Sequence, residues 1–98
     1  MAFKGTSVVV TTSGTEVPLS ATSLHVSSFV LVAKDTNTGR IYVSDSTVST
    51  TTNGGLRPGS QLPWGNDPPV SYGIDLSKIY IDAAVNGEGV DLWYNTVN

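Results

Sequence analysis

Cysteine is missing from this 98-residue chain, and histidine occurs once. The first absence removes disulfides, thiolate chemistry and cysteine zinc sites together, and fits a reducing or an oxidising compartment equally. Charge is also scarce, at 13% of residues. Lys4, Lys34, Arg40, Arg57 and Lys78 are scattered singly through a chain of net charge -3, so there is no phosphate-neutralising face and nucleic acid is not an expected partner. No stretch approaches the roughly 20 apolar residues of a membrane helix, and Met1 to Gly5 lacks the apolar core of a secretory signal. The expectation is therefore synthesis in the cytoplasm, with no membrane partner. The Asn-x-Ser/Thr pattern of glycosylation is missing as well: Asn37, Asn86 and Asn95 are followed two positions later by Gly39, Glu88 and Val97.

Helical periodicity is absent too, since apolar residues never recur at i, i+3, i+4 and i+7 over a helix-length window. What is present are short β-branched runs punctuated by Gly, Pro, Asn and Asp, which predict strands within one domain over residues 1–98. Thr6 to Thr12 is the first run. Ser13-Gly14 then turns the chain toward Thr15 to Leu19, where Pro18, having no N–H to give a ladder, predicts an edge strand or a strand end. Val26 to Ala33 is apolar on both faces at its centre, with Phe29, Leu31 and Ala33 one way and Val26, Ser28, Val30 and Val32 the other. Such a strand belongs in the middle of a sandwich or small barrel. Lys34 to Gly39 reads as a hairpin with Gly39 at positive φ, leading into the strand Arg40 to Ser44. A second hairpin is predicted around Asn86-Gly87, pairing Asp75 to Asp82 with Val90 to Tyr94. Ile79, Ile81, Val90, Leu92 and Tyr94 would then share the core face, while Tyr80, Asp82, Asp91 and Trp93 face away.

Between these runs lies a long Gly/Pro-containing loop, about 45–72, with at most short strands. The fold class expected is a small single-domain antiparallel β-sandwich or barrel. Its inward positions number roughly a dozen large apolar side chains, a modest core that favours a domain able to assemble.

Catalytic constellations are wanting. His25 is the sole imidazole, there is no Gly-x-Ser-x-Gly elbow, and Asp82 opposite Asp91 across the last hairpin reads as a solvated pair; no enzymatic role and no catalytic residue are expected. Asp35-x-Asn37-x-Gly39 resembles the start of a calcium loop but lacks the downstream Glu, and is read as a turn held by its own side chains, so no metal or cofactor is expected. Aromatic and large apolar residues carry more information. Tyr42, Tyr80 and Trp93 are expected on the side away from the core, either packed beneath the loop or forming an interface stripe. Leu56, Leu62 and Trp64 lie in a loop segment with few charges. Trp64 either plugs the open end of the core or meets a partner, and the second reading is preferred.

The succession Val26 to Ala33, then Asn37-Thr38-Gly39-Arg40-Ile41-Tyr42-Val43, then Leu56-Arg57-Pro58-Gly59-Ser60, then Asp75-Leu76-Ser77-Lys78-Ile79-Tyr80-Ile81-Asp82 and Asn86 to Val90 resembles small virion proteins of tailed bacteriophages. The likeness spans nearly the whole chain. It implies a small β-sandwich or barrel on the particle surface, and hence a structural virion protein that decorates or cements a capsid and stabilises it. The partner so implied is the major capsid protein or another virion protein. Self-association is expected, a trimer being favoured because capsids offer three-fold sites. The alternative is a receptor- or carbohydrate-binding module of a tail fibre or spike, with Trp64, Tyr80 or Trp93 as a stacking platform.

Overall fold

Runs of four to nine residues with two-residue alternation become strands because only that geometry puts every second side chain on one face. The computed structural model describes residues 3–65 and 73–96. It contains β1 (Phe3–Val10), β2 (Val17–Pro18), β3 (His25–Ala33), β4 (Ile41–Ser44), β5 (Gln61–Gly65), β6 (Ile74–Asp75), β7 (Tyr80–Ala83) and β8 (Glu88–Thr96), with one 3-10 turn at Leu76–Lys78. All pairings are antiparallel. The larger sheet has the order β1-β8-β3-β5, with β6 paired to the first residues of β3; the smaller has the order β2-β7-β4.

The two sheets enclose one core, a sandwich-like arrangement. The larger contributes Val10, Val26, Phe29, Leu31, Ala33, Val90 and Leu92, the smaller Ile41, Ile81 and Ala83, and Leu19 and Leu76 complete it. β3 lies centrally, as its double apolar pattern predicts, but its two faces are not equivalent. Val26, Phe29, Leu31 and Ala33 are buried, whereas Val30 and Val32 are half-buried on the outside. The register shift between Val26 and Ser28 is a bulge at Ser27 that reverses the alternation, so Val26 joins Phe29 rather than Val30.

Both predicted hairpins are corrected by the structure. β3 and β4 lie in different sheets, and so do β7 and β8, so residues 34–40 and 84–87 are sheet-to-sheet crossings. Local turn chemistry serves either outcome; pairing with distant strands decides. Gly87 does take a positive φ of 81°, but Gly39 is not among the glycines that do. The first crossing is pinned instead by Asn37, a buried amide that donates to the Gly89 carbonyl at 2.9 Å and accepts from the Gly89 N–H at 3.4 Å. Glu88 adds to this by accepting from the Thr38 and Gly39 N–H groups at 2.6 and 2.9 Å. The Asp35-Asn37-Gly39 segment is thus a structural corner.

The expected loop over about 45–72 is shortened. Gln61–Gly65 is a strand paired with Ser28 to Val32 of β3, and Pro63 is tolerated there because β5 is an edge. Within 45–60, Leu56 forms an isolated bridge to Ile41. Residues 66–72, with Pro68, Pro69 and Tyr72, lie outside the described residues.

The expected facing of Asp82 and Asp91 is also absent. Asp82 is fully buried under the β1–β2 connection, its Oδ1 accepting from the Gly14 N–H at 3.0 Å and the Ala83 N–H at 2.8 Å. Asp91 belongs to the other sheet, where it meets Lys34 at 2.7 Å.

Candidate functional site

The six residues singled out from the sequence separate into four places. Leu56 and Leu62 line a notch of about 310 Å³ together with Ile41, Val43 and the backbone of Asn53 to Gly55. Its floor is the core face of β4, and its wall is a loop tied down at several points. Leu56 exchanges backbone bonds with Ile41 at 3.0 and 2.6 Å. Asn53 donates to the Val43 carbonyl at 3.2 Å and accepts from the Gly55 N–H at 2.9 Å, while Arg40 donates to the Gly54 carbonyl at 2.7 Å. Gly55 has φ 75°, and a Cβ there would stand 2.8 Å from Tyr42 Cε1, so only glycine lets the loop lie against that ring.

Trp64 stands two residues beyond Leu62 on the same face of β5, opposite Phe29, and stacks on it with centroids 5.8 Å apart and planes 18° from parallel. Half-buried, it packs against the core. Of the two readings the sequence allows, the plug is the one this contact describes.

Tyr42 and Tyr80 lie on the outer face of the smaller sheet, opposite Asp82 and Ser44 respectively. Trp93 lies on the outer face of the larger sheet, across the molecule from them. A single stripe of the three aromatics is therefore not formed, because β7 and β8 belong to different layers.

The outer face of the larger sheet is the more extended surface. One rung across its four strands is Gly5, Trp93, Val30 and Pro63; the next is Phe3, Asn95 and Ser28; on the other side stand Ser7, Asp91, Val32 and Gln61. Trp93 is 37% exposed and Phe3 67%, high values for such large apolar groups. The indole lies over Gly5, where a Cβ would come within 3.1 Å of Cδ1. Phe3, Val30, Trp93 and Asn95 line a depression of about 230 Å³. The polar groups of the face are ordered: beside the depression Asn95 donates to Ser28 Oγ at 3.1 Å, and on the other side of Trp93 Ser7 Oγ and Lys34 Nζ both donate to Asp91 at 2.9 and 2.7 Å. Those bonds, that of Lys34 first, hold the Asp91 carboxyl below its ordinary value.

Sequence reasoning places Val9 in the first strand but omits Phe3, because it begins that strand at Thr6. The signal was available in the odd-numbered alternation Phe3, Gly5, Ser7, Val9, which continues the strand pattern upstream. Elsewhere, His25 is exposed at the start of β3 opposite Asp75, and among the described residues no three His, Asp or Glu side chains gather as metal ligands would. Among the described residues, no helix is long and apolar enough to cross a membrane. No family model, curated protein or solved structure matches this chain.

Proposed function

We propose that this chain is a structural, non-enzymatic virion protein of a tailed bacteriophage, which decorates or cements the capsid and acts by covering a neighbouring protein surface. The observation that carries the reading is the outer face of the larger sheet, where Trp93, Val30 and Pro63 form an apolar rung beside an exposed Phe3. A sheet face of this kind, apolar at its centre and ringed by Ser, Asn, Gln and one ion pair, has the anatomy of a protein interface. The whole-chain resemblance to small virion proteins supplies the partner, the major capsid protein or another virion protein. The notch between Leu56 and Leu62 offers a second, smaller contact.

Copy number in purified particles tests the reading. A number that scales with capsid subunits is expected, together with poor incorporation of a Trp93→Ala variant that still folds. Absence from particles would overturn it. A number on the scale of a single tail would favour a second reading, a receptor- or glycan-binding module. What speaks for that reading is an exposed indole flanked by the Asn95 amide and the Ser28 hydroxyl, the usual furniture of a sugar platform. Glycan binding by the isolated domain, lost in Trp93→Ala, would establish it.

A further inference from the structure

The larger sheet ends in β1, and this edge is unlike the others. β5 carries Pro63, β2 has two residues of which one is Pro18, and β4 has four residues and is bridged by Leu56. Natural edges are blunted in these ways, by proline, shortness or cover, because a bare row of N–H and C=O groups templates another strand. Among the described residues, β1 has none of those devices. It runs for eight residues without proline or bulge, Lys4 is its one charged residue, and Phe3 to Ser7 and Val9 are exposed.

The Val10 carbonyl accepts from the Gly87 N–H at 2.8 Å, so Val10 turns its backbone toward β8. The Lys34 N–H donates to the Gly89 carbonyl at 3.1 Å, so the odd-numbered residues of β8 turn toward β3 and the even-numbered ones toward β1. By alternation, Lys4, Thr6, Val8 and Val10 bond β8, and Phe3, Gly5, Ser7 and Val9 present their backbones to the free edge.

We propose that β1 pairs antiparallel with β1 of a second copy, about a two-fold axis through Thr6, so that two larger sheets become one continuous sheet. An antiparallel isologous pair has its axis normal to the sheet, which keeps outer face beside outer face and lets odd residues meet odd. Only the Thr6 centre engages all four outward-turned residues: Phe3 meets Val9 of the second copy and Gly5 meets its Ser7, each twice, for about eight backbone bonds at two per pair. Centres at Gly5 or Ser7 engage three. The chosen register also places the two most exposed apolar side chains of β1, Phe3 at 67% and Val9 at 44%, directly opposite each other, an aromatic and β-branched cross-strand pair. Lys4 meets Val8, so no like charges oppose. Heterologous pairing of β1 with β5 of the next copy would meet Pro63 instead. The result is a two-fold assembly, where the virion resemblance alone favours a three-fold one, and it holds whichever surface the outer face binds.

The test uses the absence of native cysteine. Under mild oxidation, Thr6→Cys is expected to give one symmetric intermolecular disulfide, because non-hydrogen-bonded partners have Cα atoms roughly 4.5 Å apart, within disulfide range. Val9→Cys alone should stay uncross-linked, since its mate lies about six residues, or roughly 20 Å, along the strand. Sedimentation of the unmodified protein should show a dimer that dissociates on dilution, and Val9→Lys should shift it to monomer with unchanged melting at low concentration. A wild-type protein that is monomeric at every concentration, a Thr6→Cys variant that does not cross-link, or cross-linking of Val9→Cys would each overturn the proposal. None of these outcomes bears on copy number in particles, so the two readings fail separately.

Discussion

Trp64 and Trp93 are the two tryptophans of the chain, and their surroundings give them opposite consequences on truncation. Trp64 stacks on Phe29 and packs against the core, so Trp64→Ala is expected to lower the stability of the isolated domain by about 2–4 kcal/mol. Trp93 lies on an outer face at 37% exposure, so Trp93→Ala should cost under about 1 kcal/mol in stability while weakening attachment to a partner. Chemical denaturation of both variants checks the contrast, and equal losses would contradict it. Glycines divide likewise. Gly55 and Gly59 both have positive φ, at 75° and 83°, but only at Gly55 does a ring occupy the space of a Cβ. Gly59→Ala should cost about 1 kcal/mol for its backbone alone, and Gly55→Ala about 1–3 kcal/mol, with Tyr42 displaced.

Elements here are held at their ends by side chains more than by their own turns. The 3-10 turn begins at Asp75, whose carboxylate accepts from the Ser77 N–H and hydroxyl at 2.9 and 2.8 Å, from the Leu24 N–H at 3.1 Å and from the Ser23 hydroxyl at 2.8 Å. Those donors, Ser77 above all, hold its carboxyl far below the ordinary aspartate value of 3.8. Asn37 does for the β3–β4 crossing what Asp75 does for the turn. Asn37→Ala removes both bonds to Gly89, whose carbonyl keeps the Lys34 N–H while its buried N–H loses the Asn37 acceptor, and should cost about 1–3 kcal/mol by equilibrium unfolding.

At the scale of the molecule, four carboxylates, Asp45, Asp75, Glu88 and Asp91, are all held below their ordinary values. A folded-state value below the unfolded one means that the carboxylate's stabilisation is complete above the ordinary values of 3.8 and 4.5 and is lost as pH falls below them. The melting temperature should therefore be level near neutrality and drop below about pH 4 to 5, with a shallower drop in Asp75→Asn. An acid limb unchanged by that substitution would show that the Asp75 bonds contribute nothing to the pH dependence. If β1 pairs between copies, the melting temperature should also rise with protein concentration.

The all-β class, the central place of β3, the edge position of β2 and the Asn86-Gly87 turn were determined by the sequence alone, because period, proline and turn chemistry act over a few residues. Ile81, Val90 and Leu92 were legible as core for the same reason. What only the tertiary structure decided is which strand meets which. Asn37-Thr38-Gly39 and Asn86-Gly87 read as hairpins, yet both carry the chain from one sheet to the other, since a turn specifies a reversal and not a partner. That choice moved Tyr42 and Tyr80 to one side of the molecule and Trp93 to the other, and buried Asp82 away from Asp91. One bulge at Ser27 reversed the facing of Val26. The candidate surface was visible only in part, because Phe3, Val30, Trp93 and Pro63 come from four separate stretches of chain, and long-range strand pairing alone brings them together.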